Sequence, residues 1–304
     1  MVDKKFVVAI PPSYDSEQEL ELESTVEYMK YLYDNGARTV MTTAGTSQFN
    51  FLSFKEIYML NSTISDGFEG KCILGIPGVS TSEACKYVHY AKEGYSGPDS
   101  HLMVLYPDRF YDNKSVVDYV SKISDKWGKP IYLHTPQMRK GTGGNWNYTA
   151  EVINELYDKG KLIGIKEEHS DLSASYNFVA ALNKNIDVIV AGGSMRRFNY
   201  LQSAGANAFL SGIGNLFPSL ENRFLNPSGV ELLNLIKDER SQPLLQLETK
   251  LFNTFLKYGW HPSLRVALKL LGLTCFNNRN PWPELSSDAE SEIMNTIKEL
   301  KDAG

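Results

Sequence analysis

The chain has 304 residues, 42% of them hydrophobic and 22% charged, with a formal net charge of -5. That balance gives no basic field for nucleic acid, and no apolar run approaches the ~20 residues that a membrane-spanning helix needs. Cys72, Cys85 and Cys275 follow no ligand spacing and no disulfide framework, and before Asp15 only Phe6–Ile10 is apolar, too short for a signal peptide. A soluble, cytoplasmic protein is expected.

Taken in order, Phe6–Ile10 reads as a buried strand and Ser16–Asp34 as an amphipathic helix stopped by Asn35-Gly36. Thr39–Thr43 is the next strand, with a helix from Ser53 to Ile64. The unit repeats as Cys72–Gly75 with Ser80–Lys92, His101–Tyr106 with Lys114–Lys126, and Pro130–His134 with Thr149–Lys159. Leu162–Lys166 precedes a helix near Leu172–Leu182. Asp187–Ala191 precedes a short one near Asn199–Ala204, and Ala208–Ser211 is the eighth strand. Strict alternation calls for a parallel sheet, and continuous apolar strands for a sheet covered by helices. Eight repeats in ~210 residues favour a closed (β/α)8 barrel over an open doubly wound sheet. Beyond Pro218 the pattern turns helical, with Gly229–Asp238, Pro243–Leu256, Ser263–Leu271 and Ser287–Lys301 and no strand between them. The expected organisation is a catalytic barrel over residues 1–218 and a helical extension over 219–304 packed on it.

A (β/α)8 barrel carries its active site at the C-terminal ends of the strands, so the residues closing each run are the candidates. Lys166 ends the apolar strand Leu162-Ile163-Gly164-Ile165. Inside the barrel mouth, desolvation disfavours an ammonium and frees an amine able to form a Schiff base; at a plain strand end the same lysine simply reaches solvent. Gly164, two residues earlier on the same face, would leave space beside the amine. The turn Thr42-Thr43-Ala44-Gly45-Thr46-Ser47-Gln48-Phe49 presents small hydroxyl residues and backbone N–H groups suited to a carboxylate or phosphate, or is an ordinary connector. Gly192-Gly193-Ser194 and Ser211-Gly212-Ile213-Gly214-Asn215 lie where barrels often hold anions, which makes Gly192 and Ile213 candidate binding positions or parts of tight turns. Gly141-Thr142-Gly143-Gly144 lacks the Lys-Ser/Thr of a nucleotide loop and reads as a lid or connector. Arg196 and Arg197 read as solvated surface charges. The five histidines do not cluster at metal spacing, so no metal is expected; His134 and His169 are the two placed to reach the mouth.

On these residues the sequence resembles the dihydrodipicolinate synthase/N-acetylneuraminate lyase family of class I aldolases. Gly164-Ile165-Lys166-Glu167 looks like its Schiff-base motif, with Ser170-Asp171-Leu172 matching the nearby Gly-Asp-Leu. Ala44-Gly45-Thr46-Ser47-Gln48-Phe49 and Leu52-Ser53 are similar to its carboxylate loop. Ser211–Asn215 resembles the segment after strand 8, and Ala267–Leu273 with Arg279 and Pro281 the C-terminal helix and tail. The resemblance implies a (β/α)8 barrel with a C-terminal helical bundle in a homotetramer, a dimer of dimers. It also implies pyruvate or another 2-oxo acid bound as an imine to Lys166, its carboxylate held by the backbone and hydroxyls of Thr46 and Ser47, without metal or cofactor.

Departures from the family pattern define the open questions. A proton-relaying tyrosine, in Tyr-Asn-x-Pro on strand 5, counts onto Leu133 here, and alternation turns Tyr132 and His134 the other way unless a bulge or strand-end twist brings His134 in. Tyr148, from a lengthened loop over Gln137–Tyr148, or water are the other candidate relays. The usual glutamate of the carboxylate loop is Gln48 and its first threonine is Gly45. The synthases' substrate arginine falls at Met138, with Arg139 adjacent, and the sugar-holding acids of the lyases have no match in Gly193-Ser194-Met195. The expected activity is a lyase or aldolase acting on a 2-oxo acid with an aldehyde or sugar-acid partner. A sugar-acid dehydratase on the same imine and a non-catalytic 2-oxo-acid binder are the alternatives.

Overall fold

The computed structural model describes residues 5–192, 195–225, 241–273 and 275–303. Strands β1 (Lys5–Ala9), β2 (Thr39–Met41), β3 (Lys71–Ile76), β4 (Ser100–Leu105), β5 (Ile131–Thr135), β6 (Leu162–Glu167), β7 (Asp187–Val190) and β8 (Ala208–Ser211) form a closed parallel barrel in sequence order, β8 pairing back onto β1. Helices α1 (Glu23–Asp34), α2 (Phe54–Gly67), α3 (Thr81–Gly94), α4 (Asn113–Trp127), α5 (Ala150–Asp158), α6 (Leu172–Ala180), α7 (Met195–Gln202) and α8 (Pro218–Leu225) each follow a strand. The (β/α)8 architecture is thus the one the alternation of runs predicts.

Side-chain alternation divides the strands into two layers. Val7, Met41, Ile73, Met103, Tyr132, Ile189 and Ala208 fill the barrel. Their neighbours, among them Val8, Val40, Leu74, Leu133 and Ile165, face the helices and join the outer core. Gly164 has another role than the one expected of it. It stands beside Tyr132 in register, and a Cβ there would lie 2.6 Å from the tyrosine ring and 2.5 Å from the Asp187 carbonyl oxygen. The missing side chain makes room for Tyr132 inside the barrel, not for space beside Lys166. Tyr132 in turn donates to Asp187 at 2.6 Å and accepts from Lys71 at 2.5 Å.

Two boundaries differ from expectation for local reasons. Helix α1 begins at Glu23 rather than near Ser16, because Ser13–Tyr14 and Leu20–Glu21 pair as a short hairpin. Asp15 accepts from Glu17 N and Glu19 N across its turn, and the Glu21 carboxylate accepts the otherwise orphan N–H groups of Glu23 and Ser24. Helix α7 begins at Met195, a turn before the expected start near Asn199.

The C-terminal extension comprises α9 (Ser241–Tyr258), α10 (Trp260–Leu270) and α11 (Ser287–Ala303), joined through buried Leu251, Phe255, Leu264, Leu268, Ile293 and Ile297. Pro243 and Pro262 sit in first turns, where a missing N–H costs nothing. The helix expected over Gly229–Asp238 lies outside the described residues. Arg109–Phe110, Met138–Lys140 and Asn145–Trp146 form a small sheet, with Phe110 stacked on Trp146 at 4.0 Å. The glycine-rich stretch from Gly141 is the exposed turn of its hairpin. Among the described residues no helix is long and apolar enough to cross a membrane.

Candidate active site

A pocket of about 390 Å³ opens at the C-terminal ends of the strands, between the barrel mouth and the start of α10. Lys166 reaches it from β6 by the alternation that fills the barrel, and only 4% of the residue is exposed. Its register partner on β5 is His134. The Thr135 hydroxyl donates to the Lys166 carbonyl at 3.0 Å, tying the two strand ends together. Lys166 Nζ lies 2.9 Å from His134 Nε2 and 2.5 Å from Glu168 Oε2, and His134 Nε2 lies 2.6 Å from the same carboxylate oxygen. One amine, one imidazole and one carboxylate thus meet at a point.

Their electrostatics follow from that meeting. Burial penalises a charged imidazole and the neighbouring Lys166 ammonium repels one, so His134 is pushed down to about 4 and is neutral at pH 7. Burial alone would raise the Glu168 carboxyl, but the Lys166 charge and the His134 hydrogen bond overcome it and hold the group well below the usual carboxylate range. Nε2 of His134 faces both partners, so its proton decides the pairing. Protonated Nε2 donates to Glu168; unprotonated, it accepts from Lys166. Gly192 lines the same pocket with φ of +72°, where a Cβ would press on the Glu168 side chain at 3.3 Å.

The carboxylate loop is narrower in its offering than its sequence suggests. Ser47 is fully buried, its hydroxyl donating to the Ile10 carbonyl at 2.5 Å and accepting from Thr43 N at 2.9 Å. Thr46 N bonds to Thr43 Oγ1 and Ser47 N to the Thr43 carbonyl. Gly45 and Thr46 do line the pocket, and the Thr46 hydroxyl makes no bond among the described residues. Gln48, in the left-handed region at φ of 54°, accepts from the buried guanidinium of Arg265, which also donates to the Pro12 carbonyl. The amide at position 48 holds the loop to α10.

Other expectations are corrected. Leu133 points outward into the helix layer and His134 inward, and a register shift on β6 between Leu162 and Gly164, not a bulge on β5, pairs His134 with Lys166, so the position beside the lysine falls one residue nearer Pro136 than the family spacing indicates. Tyr148 is buried behind the small sheet, its hydroxyl against the Met138 sulfur at 3.6 Å, and does not line the pocket. Arg139 is exposed and paired with Asp108, away from the site. Ile213 is buried in the outer core beneath the pocket, which is lined by its neighbours Gly212 and Asn215. His169 turns away from the mouth onto Glu167, joined there by Ser175 and Arg197. Arg197 is therefore an internal tie between β6, α6 and α7 and not a solvated charge.

Sequence reasoning misses Glu168 because, beside Glu167, it reads as half of a local acidic pair. Alternation separates the two, sending Glu167 outward and Glu168 into the pocket. It also misses His261 and Trp260 of α10, which close the pocket from the other side. The His261 ring lies 3.7 Å from where a Cβ of Gly45 would sit, its Nδ1 is buried without a hydrogen-bond partner among the described residues, and burial with the Arg265 charge pushes it down to about 4. Nothing local in Trp260-His261 signals this.

A parallel barrel with a buried lysine among acid–base partners at its strand ends defines an enzyme of the (β/α)8 class. The chain belongs to the Dihydrodipicolinate synthetase family, whose model matches residues 3–300, and so stands among the lyases of that family. Among its relatives is N-acetylneuraminate lyase 2 of Escherichia coli O6:H1, 19% identical over 98% of this chain and 96% of that one. Dihydrodipicolinate synthase of Bacillus clausii superposes with a TM-score of 0.78 at 20% identity, covering 99% of this chain and 98% of that one. A prophage protein of the dihydrodipicolinic acid synthase family from E. coli K12, solved in complex with pyruvate, does so with a TM-score of 0.77 at 15% identity, covering 99% of each.

Proposed function

We propose that this protein is a Schiff-base lyase of the aldolase type, acting on pyruvate or a close 2-oxo acid through an imine on Lys166. The observation that carries the reading is the buried Lys166 amine at the pocket floor, within hydrogen-bond distance of both His134 and Glu168. The neighbour crystallised with pyruvate supports the choice of substrate.

In this reading an ammonium proton passes to His134 and the freed amine adds to the substrate's C2 carbonyl. Loss of water leaves a protonated imine, whose positive charge faces the Glu168 carboxylate. In the cleaving direction the C3–C4 bond breaks, its electron pair flowing toward the imine nitrogen to give an enamine. The C4 hydroxyl proton goes to neutral His134 as the aldehyde departs. A proton returned to C3 and hydrolysis of the imine release the 2-oxo acid. The Thr46 hydroxyl and His261, both without hydrogen-bond partners among the described residues, hold the substrate carboxylate. His134 beside the lysine offers a proton relay where the family's tyrosine is missing, which supports the catalytic reading over that of a non-catalytic 2-oxo-acid binder.

Borohydride reduction in the presence of pyruvate tests the reading by intact mass and peptide mapping. A covalent adduct on Lys166, absent from Lys166→Ala, is expected. A wild-type protein that gives no adduct with pyruvate or a panel of 2-oxo acids would refute it.

A further inference from the structure

The two ends of the pocket differ in chemistry. At its floor are Lys166, His134 and Glu168. Its outer wall comes from the C-terminal helices, with Phe252 and Leu256 from α9 and Trp260 from α10. The Trp260 ring is fixed by Phe252 and Phe255, each with its centroid 5.3 Å away, and fills the space over Gly212, where a Cβ would collide with the indole. Leu256 is 57% exposed at the rim, a large apolar side chain left in water beside an aromatic wall. Apolar area held open at a pocket is area that a ligand can bury favourably.

The polar groups of the lining are turned into the fold. Thr43 Oγ1 accepts from Thr46 N. The Ser211 hydroxyl bonds to Glu221 at 2.6 Å and Gly214 N at 2.7 Å, and the Asn215 amide bonds to the Tyr28 hydroxyl and the Gly212 carbonyl. Left over among the described residues are the Thr46 hydroxyl and His261, which the 2-oxo acid's carboxylate would take, His134 Nδ1 and the Trp260 indole N–H. Among the described residues the ionised groups of the lining are Lys166 and Glu168, which face each other. A second anionic group would meet Glu168 and, among the described residues, no free cation, and a polyol would find a single indole N–H of Trp260 on an otherwise carbon wall formed with Phe252 and Leu256.

We propose that the carbonyl partner is an uncharged aryl aldehyde, its ring seated against Phe252, Leu256 and Trp260 and its carbonyl directed at the enamine. The proposal rests on the Lys166 imine and adds the substrate class. In the condensing direction the enamine C3 attacks the aldehyde carbon and the new C–C bond forms. The aldehyde oxygen takes a proton from His134, and water hydrolyses the imine to release a 4-aryl-4-hydroxy-2-oxo acid.

Two measurements separate this claim from the one beneath it. Borohydride trapping with pyruvate reports the imine alone. Pyruvate is then offered with benzaldehyde, glyceraldehyde or glyoxylate, and products are quantified by mass spectrometry. The expected result is a benzaldehyde product with kcat/KM about tenfold or more above the other two. Leu256→Arg, a change at an exposed position, is expected to keep the pyruvate adduct while lowering the benzaldehyde reaction about tenfold and raising that with glyoxylate. Trapped enzyme that prefers glyceraldehyde or glyoxylate, or that makes no benzaldehyde product, overturns the aryl assignment and leaves the imine standing. Absence of any adduct overturns both.

Discussion

A buried amine with a carboxylate at 2.5 Å and an imidazole at 2.9 Å is under two opposing demands. Glu168 sets a carboxylate against the nitrogen, where it faces the positive charge of the protonated imine during reaction. His134, kept neutral by burial, supplies the basic site through which a proton leaves. His134→Gln is expected to form the borohydride-trapped adduct more slowly, while turnover falls by about 10²–10⁴-fold, the usual worth of a positioned acid–base group. Adduct formation and turnover both unchanged in the variant would refute the role. Because His134 is pushed down to about 4, the acid limb of the kcat–pH profile is expected near pH 4 to 5 and not near the 6.5 of an ordinary histidine. A limb at pH 6 to 7 that vanishes in His134→Gln would contradict that assignment. At this scale Lys166 was legible as the one charged residue closing an apolar strand. Glu168 was not, since its meaning depends on which way residue 168 faces.

Strand β6 shows how one element serves three surfaces. Gly164 makes room for Tyr132 inside the barrel, Lys166 enters the pocket, and Glu167 points outward to His169, Ser175 and Arg197. Gly164→Ala places a methyl group 2.5 Å from a backbone oxygen and 2.6 Å from the Tyr132 ring, so it is expected to cost about 1–3 kcal/mol, the usual price of overpacking. The midpoint of denaturant unfolding checks this, and an unchanged midpoint would mean the strand pair relaxes freely. The carboxylate loop makes a complementary point. Its residue types are visible in sequence, but tight turns consume their own donors, leaving the Thr46 hydroxyl alone among the four groups expected of Thr46 and Ser47.

For the whole molecule, the lowered histidines link the site to stability. Folded His134 and His261 resist protonation until about pH 4, whereas in the unfolded chain they take up protons near pH 6.5. Between those values the unfolded state binds more protons, so stability is highest above the window and falls as pH drops through it. For buried His134 the loss amounts to about 3 kcal/mol across the window. His134→Gln and His261→Gln are each expected to flatten the decline in urea midpoint between pH 6.5 and 4; parallel curves for wild type and both variants would exclude the linkage. The C-terminal helices also complete the site, because α9 and α10 form its outer wall.

The sequence by itself determined the eight strand–helix units, the helical extension and the lysine at the end of β6, because hydrophobic periodicity and strand length act over a few neighbouring residues. It did not determine that His134 rather than residue 133 stands by the lysine; that follows from the pairing of β5 with β6. Nor did it place Trp260 and His261 over the mouth, or bind Arg265 to Gln48 across 217 residues of chain. Such contacts depend on how the barrel closes and how the last helices pack on it. Tertiary structure alone chose the residues around the amine, because their placement depends on long-range packing that local periodicity does not encode.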